Sequence, residues 1–447
     1  MKGRSIFLIF LLLLSIPASA EDLMNIIGED FHIFSEDRPL FIKPSNARFF
    51  RWISDEKKAA RYSLSGVREK LFLFGIPVSE VIVYFKENRV SRVYISVYNR
   101  GDNMPVSTDE FYKISSKIFS GLKQFYPDER YIRRREKIAD GMYMNALVWR
   151  GKKYSCSIIW SLSGKTKRTE KPEYLQVEIE PFDPANDSAK RPLVRADRTT
   201  IASRRNLPEN VQRKSNGDVY IDHIPMVDQG QKGYCVAAVL ERVLRYYNVP
   251  VTQHTIAQLC GTSARNGTST DAMVKVMENA SGKLGIRIRE EYNLFNKKSA
   301  IGTLKGIVSA YNRLARKKKK AEVKMVIRNR VIYLDETIYR MDPEIYAEVR
   351  NNESDRRKFY QTVIRNVQAG IPVIWCVMLG IMPEEKLSAQ SKGGHMRLII
   401  GYNEKNQEII YTDSWGIGHE LKSMPVQHAW PITTRVLYLI PRARKAY

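Results

Sequence analysis

Between residues 182 and 217 the chain reads FDPANDSAKRPLVRADRTTIASRRNLPENVQRKSNG, and the apolar periodicity on either side dissolves across it. A stretch this rich in Pro, Asn, Arg and Ser offers no stripe to bury, so the expected fold has two cores rather than one. The 447 residues, 43% of them hydrophobic, are enough to supply both. We therefore divide the chain into a leader at 1–20, an α+β unit at 21–182, a linker at 183–217 and a second unit at 218–447.

The leader carries Lys2 and Arg4, a mostly apolar run over 6–16, and Ala18-Ser19-Ala20 as a small-residue cleavage site before Glu21. The run is shorter than the roughly 20 residues that span a bilayer. It therefore reads as a removed export signal, and no later segment is apolar enough to be a transmembrane span. A secreted, periplasmic or cell-envelope location is expected. The formal charge of +25 favours polyanionic neighbours. For an exported chain these are anionic envelope polymers or lipid headgroups; nucleic acid is not expected, because the basic runs at 133–135 and 316–320 lack interleaved aromatics on which bases stack.

The first unit alternates strand and helix signals: a hairpin at 81–85 and 90–98, an amphipathic helix at 108–125, and strands at 156–162 and 175–180. It shows no recognisable chemistry. Its place ahead of the second unit, and Arg204-Arg205 in the linker, fit either an inhibitory pro-region or an accessory domain. The second unit starts helical and ends in strands. Val236, Val239, Leu240, Val243 and Leu244 form the stripe of a helix over 235–247. A short helix at 252–259, a capping-box form at 268–271 and a long charged helix at 343–369 follow, then strands at 371–378, 396–402, 408–412 and 435–440.

Four cysteines, Cys156, Cys235, Cys260 and Cys376, make neither a disulfide framework nor a zinc spacing, and no cofactor motif is present. Cys260 and Cys376 stay open as a pair. Cys235 ends the loop DQGQKGYC just where the apolar helix begins. There, unpaired backbone N–H groups and the helix dipole favour a thiolate, the reactive form of cysteine. Position alone suits a packing residue equally well, and the surrounding residues decide. Gln229 stands six residues earlier, with Gly230 and Gly233 permitting the loop to fold its amide toward the sulfur as an oxyanion donor. Of six histidines, only His395 follows a Gly-Gly pair and opens an alternating apolar strand. The next strand returns through a short turn and brings Asp413 near its start.

These stretches, 229–235, GlyGlyHis at 393–395 and AspSerTrpGly at 413–416, resemble the papain-like cysteine peptidases in chain order, and the C39-like group in detail. The resemblance covers about 219–440. It implies an α+β papain-like domain, a helical half and an antiparallel sheet half, preceded by a separate smaller α+β domain. It further implies peptide-bond hydrolysis by Cys235, His395 and Asp413, with Gln229 donating to the oxyanion and Trp415 shielding the Asp413 contact from water. Neither metal nor cofactor enters that chemistry. Asp413 stands where papain has asparagine, adding a charge that favours the imidazolium. The stretch 293–341, with a hairpin at 323–334, reads as an insertion. A non-catalytic binding module, or another thiol acyl-transfer enzyme, is the alternative.

Overall fold

The computed structural model describes residues 20–442 except 29–30, 36–47, 65–68, 102–104, 127–129, 140–141, 165, 167–168, 185–186, 191–192, 194–200, 231–232, 250, 264–266, 297–299 and 385–391. The leader reading, Ala20 apart, falls outside the described residues. Among the described residues no helix is long and apolar enough to cross a membrane. The chain is mixed α+β, with one hydrophobic core built from residues before 180 and another from residues after 200.

The first core lies on an antiparallel eight-stranded sheet. Its order is Arg51–Trp52, Ala59–Ser63, Glu80–Lys86, Arg89–Asn99, Lys171–Pro181, Tyr154–Ser163, Met142–Arg150 and Tyr131–Ala139. The expected hairpin closes through Glu87 and Asn88, both at positive φ, as a two-residue turn requires. Helix Thr108–Phe125 starts where Ser107 Oγ accepts from the Glu110 amide at 3.2 Å. It buries Phe111, Ile118 and Leu122 against one face of the sheet, which offers Val81, Val93 and Val177. Two strands, Tyr131–Ala139 and Met142–Arg150, are additional to the sequence reading, because the outer one carries three successive arginines and reads as a solvated charge run.

The other face of this sheet mixes polar side chains with apolar ones such as Ile82, Val148 and Ile159, and is nonetheless buried. Strand alternation puts Arg61, Glu80, Tyr94, Ser161 and Gln176 there, none more than 8% exposed. What covers them is the second half of the chain, through helix Gln253–Leu259 and the loop ahead of Cys235.

The second sheet runs Val211–Arg213, Asp218–Ile221, Gly393–Asn403, Val373–Leu379, Thr433–Pro441 and Ile286–Asn293; Glu408–Thr412 pairs with the opposite edge of Gly393–Asn403, and Lys422–Pro425 follows it. Its central strand Val373–Leu379 is buried at every position. Three expectations are corrected here. The linker ends early: Ile201 and Leu207 are buried in the second core, and Val211–Arg213 pairs with Asp218–Ile221. The charged segment at 343–369 is two helices, Pro343–Arg350 and Glu353–Gln368, because Asn352 turns extended and caps the second by accepting from the Asp355 amide at 3.1 Å. The expected insertion holds helix Ala300–Lys317 ahead of a shorter hairpin, Val326–Arg328 with Val331–Tyr333.

Candidate active site

Cys235 is the first residue of helix Cys235–Tyr246, which packs its buried stripe against strand Gly393–Asn403. Tyr234 at the N-cap makes no side-chain cap bond, leaving the first-turn amides open. The sulfur draws on the N–H groups of Val236 and Met396. Burial opposes ionisation of this thiol, but the His395 ring and those two amides outweigh it, and the Cys235 pKa lies below the ordinary thiol value. Burial acts in the same direction on the remaining thiols, all free, and prevails there, pushing Cys260 and Cys376 up to about 12 and Cys156 higher. One thiol of four is thus the more readily ionised.

His395 arrives on strand Gly393–Asn403, opposite Val377 on one neighbour. On the other, Leu398 faces Thr412, so Asp413 follows directly beside Arg397 and reaches His395 one pleat further. Nε2 of His395 donates to Asp413 Oδ1 at 3.0 Å, and neither side chain has exposed surface. Nδ1, the remaining ring nitrogen, has no aligned partner among the described residues, while the Cys235 sulfur is near enough that each group shifts the other. A loose thiol–imidazole approach is common in unliganded sites and tightens with substrate. Burial alone would lower the His395 pKa; its bonds to Asp413 and Cys235 outweigh that and raise it. Trp415 stacks on the imidazole at 4.3 Å and 14° and so covers one ring face.

Asp413 is held by more than the histidine. Arg397 Nε donates to its Oδ1 at 2.8 Å and Lys422 Nζ to its Oδ2 at 2.9 Å. Despite burial, these cations and His395 keep the carboxyl well below the usual carboxylate range. Arg397 also pairs with Glu384 at 2.7 Å, and its guanidinium lies 4.8 Å from the Tyr411 ring. The extra charge that aspartate brings relative to asparagine is thus shared with two cations instead of falling on the imidazole alone. Arg242, two turns along the Cys235 helix, donates to the Asp413 carbonyl and to Thr412 Oγ1, both at 2.8 Å, locking the helix to the strand that delivers the carboxylate.

Gln229 is buried, and its backbone N–H donates to the Ser414 carbonyl at 2.8 Å, which pins its loop beside the residue after Asp413. Gly230 sits at φ +67°, and a Cβ there would lie 2.7 Å from the Arg61 guanidinium. Gly233 allows contact with Gly267, whose Cα would meet its Cβ at 2.7 Å. Asp228 anchors the loop: Oδ1 accepts from the Gly230 amide at 2.7 Å, and Oδ2 pairs with Arg61 at 2.8 Å. Arg61 in turn pairs with Glu80 at 2.5 Å, Glu80 accepts from His254 Nε2 at 3.2 Å, and Tyr234, just before the thiol, donates to Asn99 Oδ1 at 2.8 Å. Residues of the first sheet therefore grip the Cys235 loop at both ends.

Arg397, Lys422, Arg242 and Arg61 escaped the sequence reading. A signal existed for one of them: Arg397 is a charge in an apolar strand two residues from His395, hence on its face, whereas Arg242 shares its helix with Glu241 and Arg245 and does not stand out. Arg61 and Lys422 lie on segments that carry no such contrast.

A depressed thiol at a helix tip, beside a buried imidazole braced by a carboxylate, is the constellation of nucleophilic acyl transfer. Residues 332–437 match the model of the Peptidase_C39 like family, which supports a C39-like, papain-like cysteine peptidase domain. The match takes in His395, Arg397, Asp413 and Trp415 and begins after Gln229 and Cys235. No curated protein matches the chain.

Proposed function

We propose that the protein is an exported cysteine peptidase that hydrolyses peptide bonds through Cys235, His395 and Asp413, with Gln229 as oxyanion donor. The Cys235 thiolate attacks the amide carbonyl; the S–C bond forms as the carbonyl electron pair moves to oxygen, where the Gln229 amide donates. His395 gives its Nδ1 proton to the leaving nitrogen as the C–N bond breaks. It then takes a proton from water, which attacks the thioester and regenerates the thiolate. Asp413 keeps Nε2–H oriented throughout. Arg397 and Lys422 hold Asp413 ionised, so it accepts a bond without taking the proton.

The observation that carries this reading is the geometry: Cys235 opens its helix beside His395, whose Nε2 meets the buried Asp413 carboxylate at 3.0 Å under the Trp415 ring, and the lowered thiol pKa agrees with it. Iodoacetamide at neutral pH tests it: Cys235 labels at least tenfold faster than Cys260 and Cys376, and the difference disappears in His395→Ala. Equal, slow labelling of all thiols refutes the catalytic reading. Peptide-library cleavage by the wild type, abolished in Cys235→Ala, separates hydrolysis from other acyl transfer.

The first sheet belongs to the working enzyme on this reading, not to a detachable inhibitor, because its Arg61 and Asn99 hold the Cys235 loop. An inhibitory pro-region would instead give more activity when the grip is loosened.

A further inference from the structure

Helix Thr108–Phe125 is narrower than the sheet it covers. It packs beside strand Lys171–Pro181 and leaves, toward the outer strands, a groove of about 790 Å³. Strand register sets the floor: Arg133 lies opposite Leu147, and Arg135 opposite Asn145, which in turn faces Trp160. The wall is one stripe of the helix, Tyr112, Ser115, Ser116, Phe119 and Ser120, recurring with helical period. The volume is that of an ordinary small-molecule site.

Three features define what would fill it. Tyr112 and Tyr131, at 45% and 37%, are the two exposed large aromatic side chains among the described residues, and both border this groove. Several arginines in or beside this sheet are paired with carboxylates: Arg61 with Glu80, Arg92 with Glu180, Arg100 with Glu173 and Arg150 with Asp187. Arg133 and Arg135 meet no carboxylate among the described residues; their guanidinium groups lie over Tyr131 at 5.8 Å and Tyr143 at 4.1 Å. Between the aromatics and the arginines stand hydroxyl and amide groups, from Ser116, Ser120 and Asn145. Flat aromatic faces suit the C–H surface of sugar rings, hydroxyls and amides suit their hydroxyl groups, and planar guanidinium forks suit carboxylate or phosphate bidentately.

We propose that this groove binds an anionic saccharide, giving the N-terminal half a glycan-binding site separate from the thiol. An acidic peptide offers the charge but not the rings or the dense hydroxyls. Titration calorimetry of the full-length protein with four probes decides: tetragalacturonate, its methyl ester, phosphorylated mannotetraose and hexaglutamate. One or both anionic sugars bind, at least tenfold more tightly than the methyl ester, and the tighter one identifies the acid group. Arg133→Ala with Arg135→Ala weakens that binding at least tenfold and Tyr112→Ala several-fold, while the unfolding midpoint and Cys235 labelling rate stay unchanged. The double Lys variant, which keeps charge but loses the fork, falls between. The proposal is overturned if no sugar binds, if hexaglutamate binds as tightly as either sugar, or if the double Ala variant retains full affinity.

Discussion

The two large sheets solve opposite problems. The second is apolar throughout its central strand and carries His395 and Arg397 on the strand beside it, with Asp413 just past the next strand. The first is apolar on the helix side and mixes polar with apolar residues on the other, yet that second side is largely buried too. A buried ion pair is weak evidence for stability, since desolvation offsets much of the attraction. What Arg61, Glu80 and Asp228 supply instead is position, because each bond they make is directional and two of the three groups come from different halves of the chain. One sheet carries the reacting groups; the other fixes the loop on which the sulfur stands.

That division is open to attack in order of expected effect. Cys235→Ala should lower kcat/KM on a fluorogenic peptide by about 10⁴-fold or more, with an unchanged unfolding midpoint; surviving hydrolysis would place the chemistry elsewhere. Gln229→Ala should reduce kcat by roughly 10²–10³ with little change in KM. An equal rise in KM with kcat preserved would make Gln229 a binding residue only.

Arg61→Leu takes the cation away from the buried Glu80 and the partly buried Asp228 and should cost about 3–5 kcal/mol of stability. Below the lowered midpoint, kcat should still fall by about ten- to a hundredfold, since misplacing a catalytic group costs rate on that scale. Val93→Ala on the apolar face, expected to cost about 1–3 kcal/mol, is the control: stability drops, and kcat of the folded protein holds. If Arg61→Leu behaves like Val93→Ala, or raises activity, the first sheet does not position the loop. The smallest effect concerns pH. Activity should rise on the acid side as Cys235 loses its proton and fall on the alkaline side as His395 loses its own, because the thiol pKa is lowered and the imidazole pKa raised. Lys422→Met leaves Asp413 less neutralised, so the imidazolium is favoured further and the alkaline limb should move up by about half to one unit; a downward shift would contradict the charge sharing.

Much of this was legible in the residues. Helices at Cys235 and Thr108 carry full-length apolar stripes and good local signals, so pattern and fold agree. The approach of Asp413 to His395 follows from a short turn between adjacent strands, a local relation that sequence exposes. The polar face of the first sheet was illegible for a physical reason: alternation of apolar and polar residues reads as one face in water, and only a partner distant in the chain makes the second face interior. Tyr131–Ala139 was hidden by its arginines, and the start of the second core by a composition suited to a linker. The match at 332–437 likewise stops short of the thiol, which reaches its imidazole through the packing of a helix on a strand.

The grip on Asp228 and Tyr234 bears on maturation. Arg204 and Arg205 are exposed in a turn between the buried Ile201 and Leu207, open to a trypsin-like enzyme. A nick there would leave two fragments still clasped through Arg61, Asn99 and Ser161, a two-chain species that migrates whole in native gel filtration and parts only in denaturant.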